Sequence, residues 1–287
     1  MTASRGVDRH MSSPSAASTL GGMQAQELGV AAFFDLDKTT IATASMFAFS
    51  STLREAGYLG PGVIMRAIWG KAVYQYLGAD HDRMEEMRNS ALKLCKGWER
   101  EKINRLVTSA MEEVIDPIVY QEALAEMDAH KAAGHMVFMV SASPEEVVRP
   151  LARYLGADGS VASMAEVDAD GRYTGEVEFY SYGPYKVDAM EALALEYDLD
   201  LRASYAYTDS VTDMPMLEAV GHPVVVNPDR ALAREALDRG WEVRTFTNKV
   251  SLRHKMGEHA RTGALVAGAG ALAVGGTWWL KSRRRLI

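Results

Sequence analysis

Residues Ala31 to Thr40 read AAFFDLDKTT, an unbroken apolar run that ends in two aspartates one residue apart. A short run with no polar alternation reads as a strand buried on both faces. Two carboxylates at the end of such a strand are costly to bury unless something cationic lies against them. The rest of the chain has to supply that partner.

Three further runs have the same character: His135 to Ser141, Ala203 to Asp209 and His222 to Asn227. With Val30 to Asp35 they are each followed by turn residues and a helical pattern. This is the alternation of an α/β fold with a doubly wound parallel sheet. After the second run, Ser143 is expected as an N-cap, Pro144 as the first helical residue and Glu146 as the partner in a capping box. About a hundred residues with only helical periodicity separate the first two strands. Amphipathic patterns cover Gly62 to Leu77, Asp80 to Lys96, Trp98 to Ile115 and Ile118 to Ala133, too many for one crossover. The expected organisation is a core of residues 29–44 and 117–250 with a helical cap, 45–116, inserted after the first strand. Val167 to Tyr180 contains an Asp-Gly turn between alternating runs and reads as a hairpin.

A chain of 287 residues can bury a full core, and 48% hydrophobic with 24% charged residues is ordinary for a globular protein. The net charge of -7 and the lack of a basic stripe argue against nucleic acid as a partner. One cysteine, Cys95, excludes an internal disulfide and a cysteine metal cage, which fits a reducing compartment. Residues 1–28 are small and polar, lack a secretory apolar stretch and read as disordered. Residues 263–280, GALVAGAGALAVGGTWWL, run 18 positions without a charge between basic flanks. That length just reaches across a bilayer core, with a small-residue stripe and two tryptophans at one end. Ten of the 18 are Gly or Ala, so a flexible tail is the competing reading. The expectation is a cytoplasmic catalytic domain attached to a membrane by this segment.

Ligands of open α/β sheets collect at the carboxyl ends of the strands. Those ends carry Asp35 and Asp37, Ser141, and Asp209 with Asp213, and the helix after the hairpin adds Lys186. Carboxylates from two strands can hold Mg²⁺, which prefers oxygen ligands and keeps several waters. Such an ion would offset both the repulsion among the acids and the charge of an incoming phosphate. The histidines His81, His130, His135, His222, His254 and His259 show no ligand spacing.

DLDKT at Asp35 to Thr39, VSAS at Val140 to Ser143, Lys186, and TDSVTDMPML at Thr208 to Leu217 resemble, in order and spacing, the four motifs of the haloacid dehalogenase superfamily. The insertion after the first motif and the hairpin before the lysine resemble its phosphoserine-phosphatase-like branch, subfamily IB. The resemblance implies a Mg²⁺-dependent phosphomonoester hydrolase acting on a small organic or lipid phosphate. In it Asp35 would be the nucleophile that becomes an aspartyl-phosphate, and Asp37 the general acid and base. Ser141 and Lys186 would hold the phosphoryl oxygens, while Asp35, Asp209 and the backbone carbonyl of Asp37 would bind the metal. Asp213 would orient a metal-bound water or Lys186, and Thr39 would support the loop. Phosphoserine phosphatases carry a glutamate nine positions after the nucleophile to meet the substrate amine, whereas this chain has Ala44 there. A phosphotransferase of the same fold and a non-catalytic phosphate-binding membrane module are the alternative readings.

Overall fold

The computed structural model describes residues 28–60 and 89–249. Among them, β1 (Ala31–Phe34), β2 (Met136–Pro144), β3 (Gly159–Val167), β4 (Tyr173–Phe179), β5 (Tyr205–Thr208), β6 (His222–Val226) and β7 (Glu242–Arg244) form one sheet in the order β4-β3-β2-β1-β5-β6-β7. All neighbours are parallel except β3 and β4. The central strand β1 pairs with β2 on one side and β5 on the other, so the chain leaves it in opposite directions. That reversal opens a crevice at the carboxyl ends of the strands.

The α-helices whose two ends both lie among the described residues are α1 (Ser45–Ala48), α2 (Ser50–Glu55), α3 (Arg100–Ile115), α4 (Gln121–Ala132), α5 (Glu145–Leu155), α6 (Pro184–Glu196), α7 (Met214–Glu218) and α8 (Arg230–Arg239). The alternating side chains of β1 divide between two clusters, as a strand's period of two requires. Ala31 and Phe33 pack with Phe138, Met190 and Leu217, while Ala32 and Phe34 pack with Ala123, Met127 and Tyr207. In α3 the buried residues Ile103, Val107, Met111 and Ile115 recur every fourth position. They form a narrow apolar seam against Val147, Val148 and Leu151 of α5.

Three details depart from the sequence expectation. The hairpin's first strand begins at Gly159, pairs parallel with β2 at Gly159 to Val161 and then antiparallel with β4. Its small and half-exposed residues hide it from an apolar-run criterion, as the short, largely exposed β7 is hidden. Ser143 is not a helix cap: β2 runs on to Pro144, which occupies the N-cap position without a side-chain bond. The Ser143 hydroxyl is bonded to Asp37 instead, and Glu146 accepts from Arg100 rather than closing a capping box. The helix read from Ile118 starts at Gln121, because Val119 and Tyr120 form bridges to Ile41 and Lys249.

Nearly all of segment 1–28, the helix at Gly62 to Leu77, the first half of that at Asp80 to Lys96, and segment 263–280 lie outside the described residues. Among the described residues no helix is long and apolar enough to cross a membrane.

Opposite the crevice, His130 of α4 is buried, with Nε2 2.8 Å from the Tyr207 hydroxyl and Nδ1 2.9 Å from Nδ1 of His135. Burial, then the charges of His135 and Arg244, lower its pKa to about 4. The folded state therefore keeps His130 neutral while the unfolded chain takes up a proton below about pH 6.5. Its contribution to stability is lost as pH falls from about 6.5 to about 4 and is constant below that. Urea unfolding at pH 7 and pH 5 should show a larger acid-induced loss for the wild type than for His130→Gln. Equal losses would remove His130 from the acid response.

Candidate active site

The crevice gathers the chemistry from several chain segments. Asp35 extends β1 by one step, its N–H donating to the Tyr207 carbonyl at 2.9 Å. The chain then turns sharply, with Thr40 N and Ile41 N both 3.0 Å from the Leu36 carbonyl and Thr40 Oγ1 donating to the Asp35 carbonyl at 2.7 Å. Lys38 sits in the left-handed region at φ 65°, a conformation a non-glycine residue adopts only where its surroundings impose it. The turn brings Lys38 Nζ to 3.8 Å from Asp209 Oδ2 and Thr39 Oγ1 to 3.4 Å from Asp209 Oδ1.

Lys186 comes from the first turn of α6. Gly183, at φ 54°, and Pro184 at the helix start turn the chain so that Lys186 points back into the sheet. It is 2% exposed, with Nζ 2.7 Å from Asp35 Oδ1 and 2.8 Å from Asp213 Oδ2. Asp213 also accepts from Thr208 Oγ1 at 2.8 Å. Ser141 is buried within β2, three residues before its end, its Oγ accepting from Ser143 N at 3.1 Å. Asp37 accepts from Ser45 N at 2.8 Å and from Ser143 Oγ at 2.9 Å.

All seven residues singled out in the sequence thus come to one crevice, and Lys186 is the cation that the opening pair of aspartates called for. Ser45, Ser143, Thr208 and Asp229 were missed. Asp229 caps α8 through Ala231 N and Leu232 N, accepts from Val211 N, and donates its own N–H to the Asp209 carbonyl at 3.0 Å. Its cap role is legible in NPDRAL; the loop it steadies is not.

Negative charge exceeds positive charge here. Burial raises Asp35 to about 8, with Lys186 pulling it down and Asp213 and Asp209 pushing it further up. Burial likewise raises Asp209 to about 6, Lys38 lowering it and Asp213 and Asp229 raising it. Burial also raises Asp37, opposed by the bonds from Ser45 and Ser143. The ammonium of Lys186 is held charged by Asp213 and Asp35 against its own desolvation. Among the described residues no three His, Cys, Asp or Glu side chains group as a complete metal cage. Two surplus carboxylates nevertheless suit Mg²⁺, which takes one or two carboxylates and retains water.

The haloacid dehalogenase-like hydrolase family matches residues 32–218, a span that contains all seven residues singled out in the sequence. The chain belongs to this family. It is 45% identical over 260 residues to the inhibition of morphological differentiation protein of Streptomyces azureus, covering 89% of this chain and 94% of that one. It is 42% identical over 268 residues to a probable phosphatase of Mycobacterium tuberculosis, covering 92% of each. A solved structure of a phospho-aspartyl intermediate analogue of phosphoserine phosphatase superposes with a TM-score of 0.55 at 17% identity, over 81% of this chain and 99% of that one. Its mostly parallel sheet is that of this hydrolase family.

Removing Lys186 would leave two buried carboxylates facing each other. In chelator-treated protein, Lys186→Met should cost about 3–5 kcal/mol of unfolding free energy, measured by urea titration. A loss under about 1 kcal/mol, the size of an exposed pair, would contradict the structural weight given to this ammonium.

Proposed function

We propose that the protein hydrolyses a small phosphomonoester through an aspartyl-phosphate on Asp35, with Mg²⁺ as cofactor. The observation that carries this reading is the unlike treatment of two carboxylates one residue apart. Asp35 is held by a buried ammonium, whereas Asp37 is held by a backbone N–H and a hydroxyl. Carboxylates set in different surroundings take different roles.

Asp35 attacks phosphorus, forming an Oδ–P bond as the bond to the leaving oxygen breaks. Asp37 gives its proton to that oxygen, releasing the alcohol. It then takes a proton from the water that attacks the phosphoryl group, which restores Asp35 and yields inorganic phosphate. Ser141 and Lys186 hold the phosphoryl oxygens, where charge stabilisation supplies much of the rate. Asp35, Asp209 and the Asp37 carbonyl would hold the metal, whose charge would offset that of the phosphoryl group. Asp213 fixes Lys186, and Thr39 steadies Asp209. Residues 45–116 would be the cap over this crevice. Ala44 offers no carboxylate to an ammonium, so phosphoserine gains no ion pair at that position.

Asp35→Asn should abolish turnover of p-nitrophenyl phosphate with an unchanged far-UV circular dichroism spectrum; turnover in the folded variant would end the reading. Asp37→Asn should lose about 10²- to 10⁴-fold in kcat/KM on alkyl phosphates and less on p-nitrophenyl phosphate, whose leaving group needs little help, while kcat falls on every substrate because hydrolysis of the aspartyl-phosphate is slowed.

Metal binding requires Asp35 and Asp209 ionised, so acid competes with Mg²⁺. With Asp35 at about 8 and Asp209 at about 6 in the metal-free protein, the rise in melting temperature on adding Mg²⁺ should be larger at pH 8.5 than at pH 6. An equal rise at both would place the ion elsewhere.

A further inference from the structure

Beyond these roles, we infer that Ser143 and Ser45 form a two-hydroxyl clamp that positions Asp37 for proton transfer and ties its orientation to the segment entering the cap. The inference rests on the reading of Asp37 as the proton donor.

Asp37 Oδ1 accepts from Ser45 N at 2.8 Å and Oδ2 accepts from Ser143 Oγ at 2.9 Å. Ser143 Oγ in turn accepts from Ser45 Oγ at 2.8 Å. Ser45 is fully buried and Ser143 nearly so, so water does not substitute readily for either hydroxyl. The two donors to Asp37 differ in kind. An N–H can only donate, so Oδ1 is held as an acceptor. A hydroxyl rotates, and can donate to a carboxylate or accept from a carboxylic acid. Oδ2 is therefore the oxygen that can carry the proton without two donors meeting. By donating to Ser143 Oγ, Ser45 Oγ sets which way the Ser143 hydroxyl faces and so keeps its hydrogen on Oδ2.

The clamp also crosses a boundary. Ala42 N donates to the Ile118 carbonyl at 2.8 Å, Tyr120 N to the Thr40 carbonyl at 3.1 Å, and Ile41 bridges Val119. These bonds pin the strands that leave and re-enter the core. Ser45 is the first residue of α1, just past that pin, while Asp37 and Ser143 are on the core side. A displacement of α1 would break the Ser45 contacts while leaving Asp35 and Lys186 in place.

Both serines are positioning residues, so the test is the dependence of rate on leaving group. Wild type, Asp37→Asn, Ser143→Ala, Ser143→Thr and Ser45→Ala are compared on p-nitrophenyl, phenyl and glycerol phosphate with Mg²⁺, separating kcat from KM. Ser143→Ala should lose roughly tenfold in kcat/KM on glycerol phosphate, a fraction of the full acid–base contribution, and less than threefold on p-nitrophenyl phosphate. Ser143→Thr, which keeps the hydroxyl, should restore the wild-type pattern. Ser45→Ala should show the same leaving-group trend more weakly and add nothing further in the Ser143→Ala background, since it acts through Ser143. A kcat/KM defect of Asp37→Asn equal on all three substrates would overturn the role of Asp37 as the acid, since kcat/KM reports transfer to Asp35 and not the later hydrolysis common to all three. With a leaving-group-dependent Asp37→Asn defect, an equal loss in Ser143→Ala, or no rescue by threonine, overturns the clamp. If circular dichroism shows that Ser143→Ala does not fold, Ser45→Ala decides, and a defect equal across substrates overturns the proposal.

Discussion

The ammonium of Lys186 holds the site together. It joins Asp35 and Asp213, which lie 151 and 27 residues from it along the chain, at 2.7 and 2.8 Å. A buried pair of this kind repays the desolvation of its charges only if the geometry is good and the remaining oxygens are bonded. Here Thr208 satisfies Asp213, and the β1–β5 pairing fixes the backbone of Asp35. The apolar strands β1 and β5 therefore do more than fill the core. They set two acids at a separation that one lysine can bridge.

That bridge leaves carboxylate to spare. Asp209 has the exposed Lys38 at 3.8 Å as its nearest cation, and burial with neighbouring acids pushes both Asp209 and Asp35 upward. A site assembled this way favours ligands that bring positive charge or share it, which is the electrostatic requirement for joining a divalent cation and a phosphate. On its far side the crevice borders the segment entering α1. There Arg100 of α3 reaches across to Glu145 and Glu146 at the start of α5. Gly97 N and Tyr173 N exchange bonds with the Tyr173 and Trp98 carbonyls at 2.8 and 3.0 Å. The helical segment is thus fastened to the β3–β4 hairpin as well as through its linkers.

Much of this was legible in the sequence because strand ends in a parallel sheet are marked by an abrupt change from apolar to acidic residues. AAFF before Asp35 and YAYT before Asp209 are such changes, and both strands are found where expected. The motif spacing then brought Lys186 and Ser141 into the same crevice. Strand β3 was only half legible, since GSVASMAEV serves a parallel and an antiparallel neighbour in turn and carries no periodicity of its own. Ser143 was misread for a more instructive reason. Its local pattern, serine then proline then two glutamates, is that of a helix start, yet Asp37, 106 residues away in sequence, takes its hydroxyl. Local propensity describes what a residue does when nothing distant competes for it. Ser45 and Asp229 were missed likewise, because a backbone N–H given to Asp37 or a carboxylate steadying the Asp209 loop leaves no spacing to read.

The central claim is that Asp35 carries the phosphoryl group, and it can be read on the protein itself. In Asp37→Asn, p-nitrophenol still departs unaided while water is no longer activated, so the aspartyl-phosphate should accumulate. Acid quenching during the first turnover, borohydride reduction and peptide mass analysis should then find homoserine at position 35, in step with a burst of p-nitrophenol. A burst that leaves Asp35 unreduced, or a reduced or phosphorylated residue elsewhere in its place, would contradict the account.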